Sequence, residues 1–198
     1  MLILLNIFYR SCIMNYINKG EVYFMLHESD DKNNVKIENS NLLFSNIQSM
    51  PYTPIEYIES IKKSNVLLVP CDRYNDGNWL FTEYTHEIFE YINEVDDDDI
   101  KMDICISDEE YKKLELHSEV INLGIFLVTN IVFPTLVGIL SSFLYDKIKK
   151  YHKKPTETNT NVEVIVEKNG KSKKVIYSGT IENFEKTMKS IKDTIFEE

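Results

Sequence analysis

The alternation of apolar and polar positions changes character several times along the chain, and each change marks an element. "EVYFML", from Glu21, is a short apolar run of β-forming residues, and "VKIENSNLLF", from Val35, is a looser one; both read as strands. In "TPIEYIESIKKS" the period lengthens. Thr53 stands as N-cap, Pro54 at the first helical position and Glu56 at the third, a capping box ahead of Ile55, Ile58 and Ile61 that predicts a helix. "NVLLVP" is an unbroken apolar run closed by Pro70, as a strand buried on both faces requires. "TEYTHEIFEYINEV" sets Tyr84, Ile88, Tyr91, Ile92 and Val95 at helical spacing, and "IKMDICIS" alternates Met102, Ile104 and Ile106 against Lys101, Asp103 and Cys105 as a strand does. Ser107 and Glu110 form a second capping box that predicts a helix through "SDEEYKKLELHS". This order of strands and helices predicts an α/β domain over 1–118, a small parallel sheet with flanking helices.

The pattern then disappears. Val120 to Tyr145 is 26 residues without a charge. As one helix it would extend about 39 Å at about 1.5 Å per residue, enough for a hydrocarbon core of about 30 Å. Five lysines between Lys147 and Lys154 close it. We therefore expect a long apolar, membrane-associated helix over 119–150. Thr135, Gly138 and Ser142 form a small-residue face for helix association, and Pro134 kinks the run. Lysines on the inner side would send the N-terminal domain outward with no signal peptide, so that domain is expected in the cytoplasm. A single span, a one-leaflet hairpin bent at Pro134 and a buried core helix all stay open, the last favoured by Asn122, Thr129 and Asn130.

Residues 151–161 read as a polar, proline-containing linker. Over 162–198 the pattern returns as a ββα unit: "VEVIVEK", a turn at Asn169-Gly170, "SKKVIYSG", then Ile181, Phe184, Met188, Ile191 and Ile195 on one helical face. Fewer than about 40 residues rarely hold a core alone, so this unit is expected to pack on another copy, another protein or the main domain.

Composition narrows the function classes. With 43% hydrophobic and 27% charged residues the chain is that of a folded protein. Residues up to Glu119 hold 10 of the 22 basic and 23 of the 32 acidic side chains, which argues against nucleic-acid binding by the N-terminal domain. Cys12, Cys71 and Cys105 are odd in number and lack metal-ligand spacing, consistent with reduced thiols. "MLILLNIFYRSCIM" has no basic n-region or cleavage site, and Met14 offers a second start, so residues 1–13 are given little weight.

Candidate chemistry concentrates in "CDRYNDGNWLFTE", Cys71 to Glu83, where a strand ends and a helix begins. Asp72, Asp76, Gly77 and Glu83 fall at positions 1, 5, 6 and 12 of a calcium loop, with Tyr74 in place of the oxygen ligand at position 3. Cys71 with His86 is a candidate thiol–imidazole pair, and Asp96 to Asp99 a candidate cation cluster or solvated turn; His27, His117 and His152 have no partner pattern.

Pro54 to about Glu94 resembles the middle of a Toll/interleukin-1 receptor (TIR) domain: a helix ending in Ser64, the strand "NVLLVP", a polar loop, then Trp79-Leu80-Phe81-Thr82-Glu83 opening the next helix. In NAD-cleaving members of that family the glutamate at this place is catalytic. The resemblance therefore assigns Glu83 that role, stabilising the oxocarbenium-like state as nicotinamide leaves, with NAD as substrate and no cofactor. The short interval between "EVYFML" and "VKIENSNLLF" leaves no room for the family's first helix, whose preceding loop helps form the nucleotide pocket. The tail, an apolar helix, a basic stretch, an Asn-Gly hairpin and "GTIENFEKTMKSI", is similar to the effector-associated constant components of bacterial conflict systems, which are thought to be adaptors.

These readings favour a membrane-associated signalling or defence accessory acting through protein contacts over an enzyme. Its expected partners are membrane lipid and a protein or second copy bound through the ββα unit and the Thr135, Gly138 and Ser142 face. A NAD-cleaving hydrolase using Glu83 and a pore-forming effector are the alternatives.

Overall fold

Two strand–helix–strand units organise the chain. The computed structural model describes residues 34–71, 78–95, 98–114 and 119–197, all within one compact unit, Lys32–Glu198. In chain order its elements are β1 (Asn34–Ser40), α1 (Ile58–Ile61), β2 (Val66–Val69), β3 (Phe81–Thr82), α2 (Thr85–Val95), β4 (Met102–Ile104), β5 (Lys113–Leu114), β6 (Ile121–Thr129), α3 (Phe133–Lys150), β7 (Asn159–Lys168), β8 (Lys171–Thr180) and α4 (Ile181–Ser190). Six strands form one sheet in the order β1-β8-β7-β6-β2-β4, and β3 pairs with β5 beside it. The α/β class holds, but the sheet is mixed: β2/β4 and β6/β7 are parallel, and the other three pairs are antiparallel.

The parallel pairs are each bridged by a helix, β2–α2–β4 and β6–α3–β7. The two units run in opposite directions along opposite halves of the sheet. Crossovers of like hand arranged in this way put their helices on the same face. Contacts within the helix layer bear this out: Tyr91 of α2 meets Phe143 of α3 edge-on, with ring centroids 5.3 Å apart, and Glu185 of α4 is hydrogen-bonded to Ser141 of α3. Phe184 of α4 in turn seats its ring on Tyr177 of β8, with centroids 5.2 Å apart.

Register and alternation place Leu68, Phe126, Val164 and Val175 on that helix face and Leu67, Leu127 and Ile165 on the other. All seven are buried, so the middle of the sheet is covered on both sides. Residues 41–57 reach the second face: the Phe44 N–H donates to Glu167 (2.6 Å), and Ile47 and Tyr52 join the core. β2 is apolar without alternation for this reason, as expected of "NVLLVP".

The apolar run departs most from expectation. Residues Ile121–Thr129 form the central strand β6, residues 130–132 turn, and a helix begins only at Phe133. Gly124 has φ +101°, at the point where the β6/β7 register shifts, a geometry outside any helix. Pro134 lies in the first turn of α3, where its missing N–H costs nothing and no kink follows. Inside the run Asn122 accepts from Asn161 (2.9 Å) and the backbone N–H of Asn130 donates to Glu167 O (2.8 Å), while the Asn130 side-chain Oδ1 is buried without a hydrogen-bond partner among the described residues. What remains ahead of Asp146, Phe133 to Tyr145, is roughly 20 Å of helix at about 1.5 Å per residue. No helix among the described residues is long and apolar enough to cross a membrane. The expected membrane helix is thus a strand and a core helix, and the expected membrane localisation, like the pore reading, loses the feature that carried it.

The ββα elements form where expected, except that α4 ends at Ser190, short of Ile191 and Ile195; both strands join the same sheet, with β7 hydrogen-bonded along β6. Asn169 and Gly170, at φ 54° and 73°, make the two-residue turn that matches the twist of the hairpin. β7 begins at Asn159, inside the expected linker. Gly138 lies beside Lys189 of α4, so part of the small-residue face is used within the chain.

Both capping boxes give less than expected. The Thr53 hydroxyl donates back to Ile47 O (2.7 Å), and only a 3-10 turn at Ile55–Tyr57 and the single turn of α1 form. Ser107 O accepts the N–H groups of Glu110 and Tyr111, but the chain then extends into β5, and Tyr111 stacks on Phe81 at 5.2 Å. Burying that ring takes the place of a helix. The expected strand "EVYFML" lies outside the described residues.

Candidate functional site

Trp79 to Glu83 runs through β3 into the start of α2. Trp79 meets Tyr52 edge-on, with centroids 5.0 Å apart, and Phe81 and Thr82 are buried. Glu83 follows at the junction, half-buried, and is hydrogen-bonded to its neighbour Tyr84. Burial first, then the charges of Glu83 and nearby groups, push the Tyr84 hydroxyl up to about 12. The carboxylate that the sequence singles out is therefore engaged by the side chain next to it.

Tyr84 leads into a second cluster. Its ring centroid lies 4.9 Å from Lys147 Nζ, and the ring of Phe143 is 5.4 Å from the same atom. Glu87, one turn along α2, pairs with the ammonium. The Lys147 side chain is 9% exposed and that of Glu87 is 50% exposed, so the lysine extends from the protein interior towards a carboxylate at the surface. Ring faces and carboxylate together offset the loss of water around a buried cation.

Helices α2 and α3 run antiparallel. As residue number rises along α2, from Tyr84 and Glu87 to Tyr91, its partners on α3 fall from Lys147 to Phe143. Between them lies an open groove of about 250 Å³. Tyr91 and Phe143 line it together with four carboxylates, Glu87, Glu90, Glu94 and Asp146, and two ammonium groups, Lys147 and Lys150. Tyr91 Oη donates to Asp146 (3.1 Å), and burial followed by this bond holds the Tyr91 hydroxyl above its usual range. Aromatic faces with four carboxylates against two lysines favour a cationic side chain such as a guanidinium or ammonium.

The remaining sequence candidates do not assemble. Cys71 is buried where its backbone pairs with Leu80, whereas His86 is exposed and approaches Glu90 at 3.4 Å. Cys105 is buried at the end of β4, and burial, with Asp103 adding to it, holds its thiol above the usual range. Asp72, Asp76, Gly77, Asp96, Asp97, His27 and His117 lie outside the described residues. Among the described residues no group of three or more His, Cys, Asp or Glu side chains is placed to hold a metal. Asp99 offers its backbone carbonyl to Asn65, and His152 is exposed at a left-handed turn.

Of the groove residues, Glu87, Glu90, Glu94, Phe143 and Asp146 are not singled out by the sequence as a site. Glu87, Glu90 and Glu94 recur at helical spacing, which is a usable signal. The sequence places Tyr91 on an apolar helical face and Lys147 among the lysines that close an expected membrane helix, without joining the two. No family model, curated protein or solved structure matches the chain.

Proposed function

We propose that the protein is an adaptor that acts through protein contacts, with the outer surface of α2 and α3 as its docking site. The observation that carries this reading is the company the groove keeps. Of the seven exposed large hydrophobic side chains among the described residues, Val95 ends α2 and Tyr151 caps α3, the two helices that form the groove. Exposed aromatic and aliphatic groups beside a charged groove are the composition of an interface rim and anchor. The signalling or defence setting rests on the sequence resemblances alone.

NAD cleavage by Glu83 is the competing reading. Purified full-length protein and its Glu83→Ala variant, incubated with NAD, are expected to release no nicotinamide above the uncatalysed rate. Turnover by the wild type that disappears in Glu83→Ala would overturn the adaptor reading.

A further inference from the structure

The α2–α3 surface is polarised along its length. From Glu87 to Glu94 is about 10 Å along the helix at about 1.5 Å per residue, and Glu90 and Glu94 extend the acidic side away from Lys147. In the other direction α3 ends in Lys149 and Lys150, and Lys153 follows; all three are exposed, and none has an ion-pair partner among the described residues. Lys154 is already engaged by Glu157. A strip that is negative at one end and positive at the other is complementary to itself after a half-turn about an axis perpendicular to it.

We propose that this strip is a two-fold interface between copies of the chain, in which the acidic end of α2 in each copy meets the basic end of α3 in the other. The proposal rests on the protein-contact reading above and names its partner as a second copy. A two-fold contact uses the same patch twice, so every charge pair formed occurs in duplicate. Single exposed ion pairs contribute little. The duplicated pairs set the alignment, and Val95 and Tyr151, exposed at the ends of α2 and α3, supply apolar area. Attraction between exposed charges is screened over about 8 Å at physiological ionic strength, so the association depends on salt.

Sedimentation of the full-length protein tests this. The wild type is expected to dimerise at about 50 mM salt, with Kd rising at least about tenfold at about 0.5 M salt as screening shortens. Glu90→Lys/Glu94→Lys and Lys149→Glu/Lys153→Glu, all changes at exposed positions, are each expected to be monomeric with unaltered circular dichroism. Mixed in equal amounts they are expected to pair, because both contacts are then again between opposite charges. A wild type that stays monomeric at low salt overturns the dimer, as do variants that self-associate like the wild type or a mixture that stays monomeric. A monomeric result together with no NAD cleavage removes the dimer and leaves the adaptor reading standing. NAD turnover dependent on Glu83 removes the adaptor reading whatever the oligomeric state.

Discussion

Phe126→Ala is expected to lower the free energy of unfolding by about 3–5 kcal/mol, read from urea unfolding followed by circular dichroism. Phe126 is fully buried on β6, the strand that joins the two halves of the sheet. In register it stands between Leu68 of β2 and Val164 of β7, with both neighbours also fully buried. Truncation removes the transfer free energy of the ring and leaves a cavity that neighbours in rigid strands cannot collapse to fill. A central strand has paired neighbours on both sides, so backbone adjustment is small. A loss below about 1 kcal/mol would be the size of an ordinary surface change and would place Phe126 outside the core.

Gly124→Ala is expected to cost about 2–3 kcal/mol, from backbone strain with steric crowding added. At φ +101° the backbone is in a region that L-residues avoid. A Cβ there would also stand 3.3 Å from Thr82 Oγ1 and 3.4 Å from Thr85 Oγ1, two buried hydroxyls that are themselves 3.1 Å apart. Thr82 ends β3 and Thr85 begins α2, so the crowding is transmitted to both sides of Glu83. A double-mutant cycle with Thr82→Ala separates the causes: the crowding part is relieved and the strain remains. Equal stability of wild type and Gly124→Ala would contradict the bulge geometry.

The same region shows how far sequence reasoning reaches. Local signals were legible wherever one physical cause dominated. "NVLLVP" is apolar because β2 is covered on both faces, and Asn169-Gly170 turns because both residues accept positive φ. The helical spacing of Ile88 and Ile92 places them in the core, as does that of Phe184 and Met188.

The apolar run was illegible because a buried central strand followed by a buried helix has the hydropathy of a membrane span, and periodicity cannot divide it. Its divisions are small: a glycine at the bulge, an asparagine at the turn and a proline in a first turn. The capping boxes misled for a different reason. Thr53 and Ser107 sit where tertiary contacts, the Ile47 carbonyl and the Tyr111–Phe81 stack, claim the backbone before a helix can extend. The groove joins residues as far as sixty positions apart, such as Glu87 and Lys147, and no local pattern reports such a pairing.

The division of the apolar run into strand and helix underlies both the loss of the membrane reading and the exposure of the α2–α3 surface. Backbone carbon chemical shifts across Ile121 to Tyr145 test it most directly. The expected result is extended-strand shifts from Ile121 to Thr129, a break across residues 130–132 and helical shifts from Phe133 onward. Unbroken helical shifts from Ile121 to Tyr145 would contradict it.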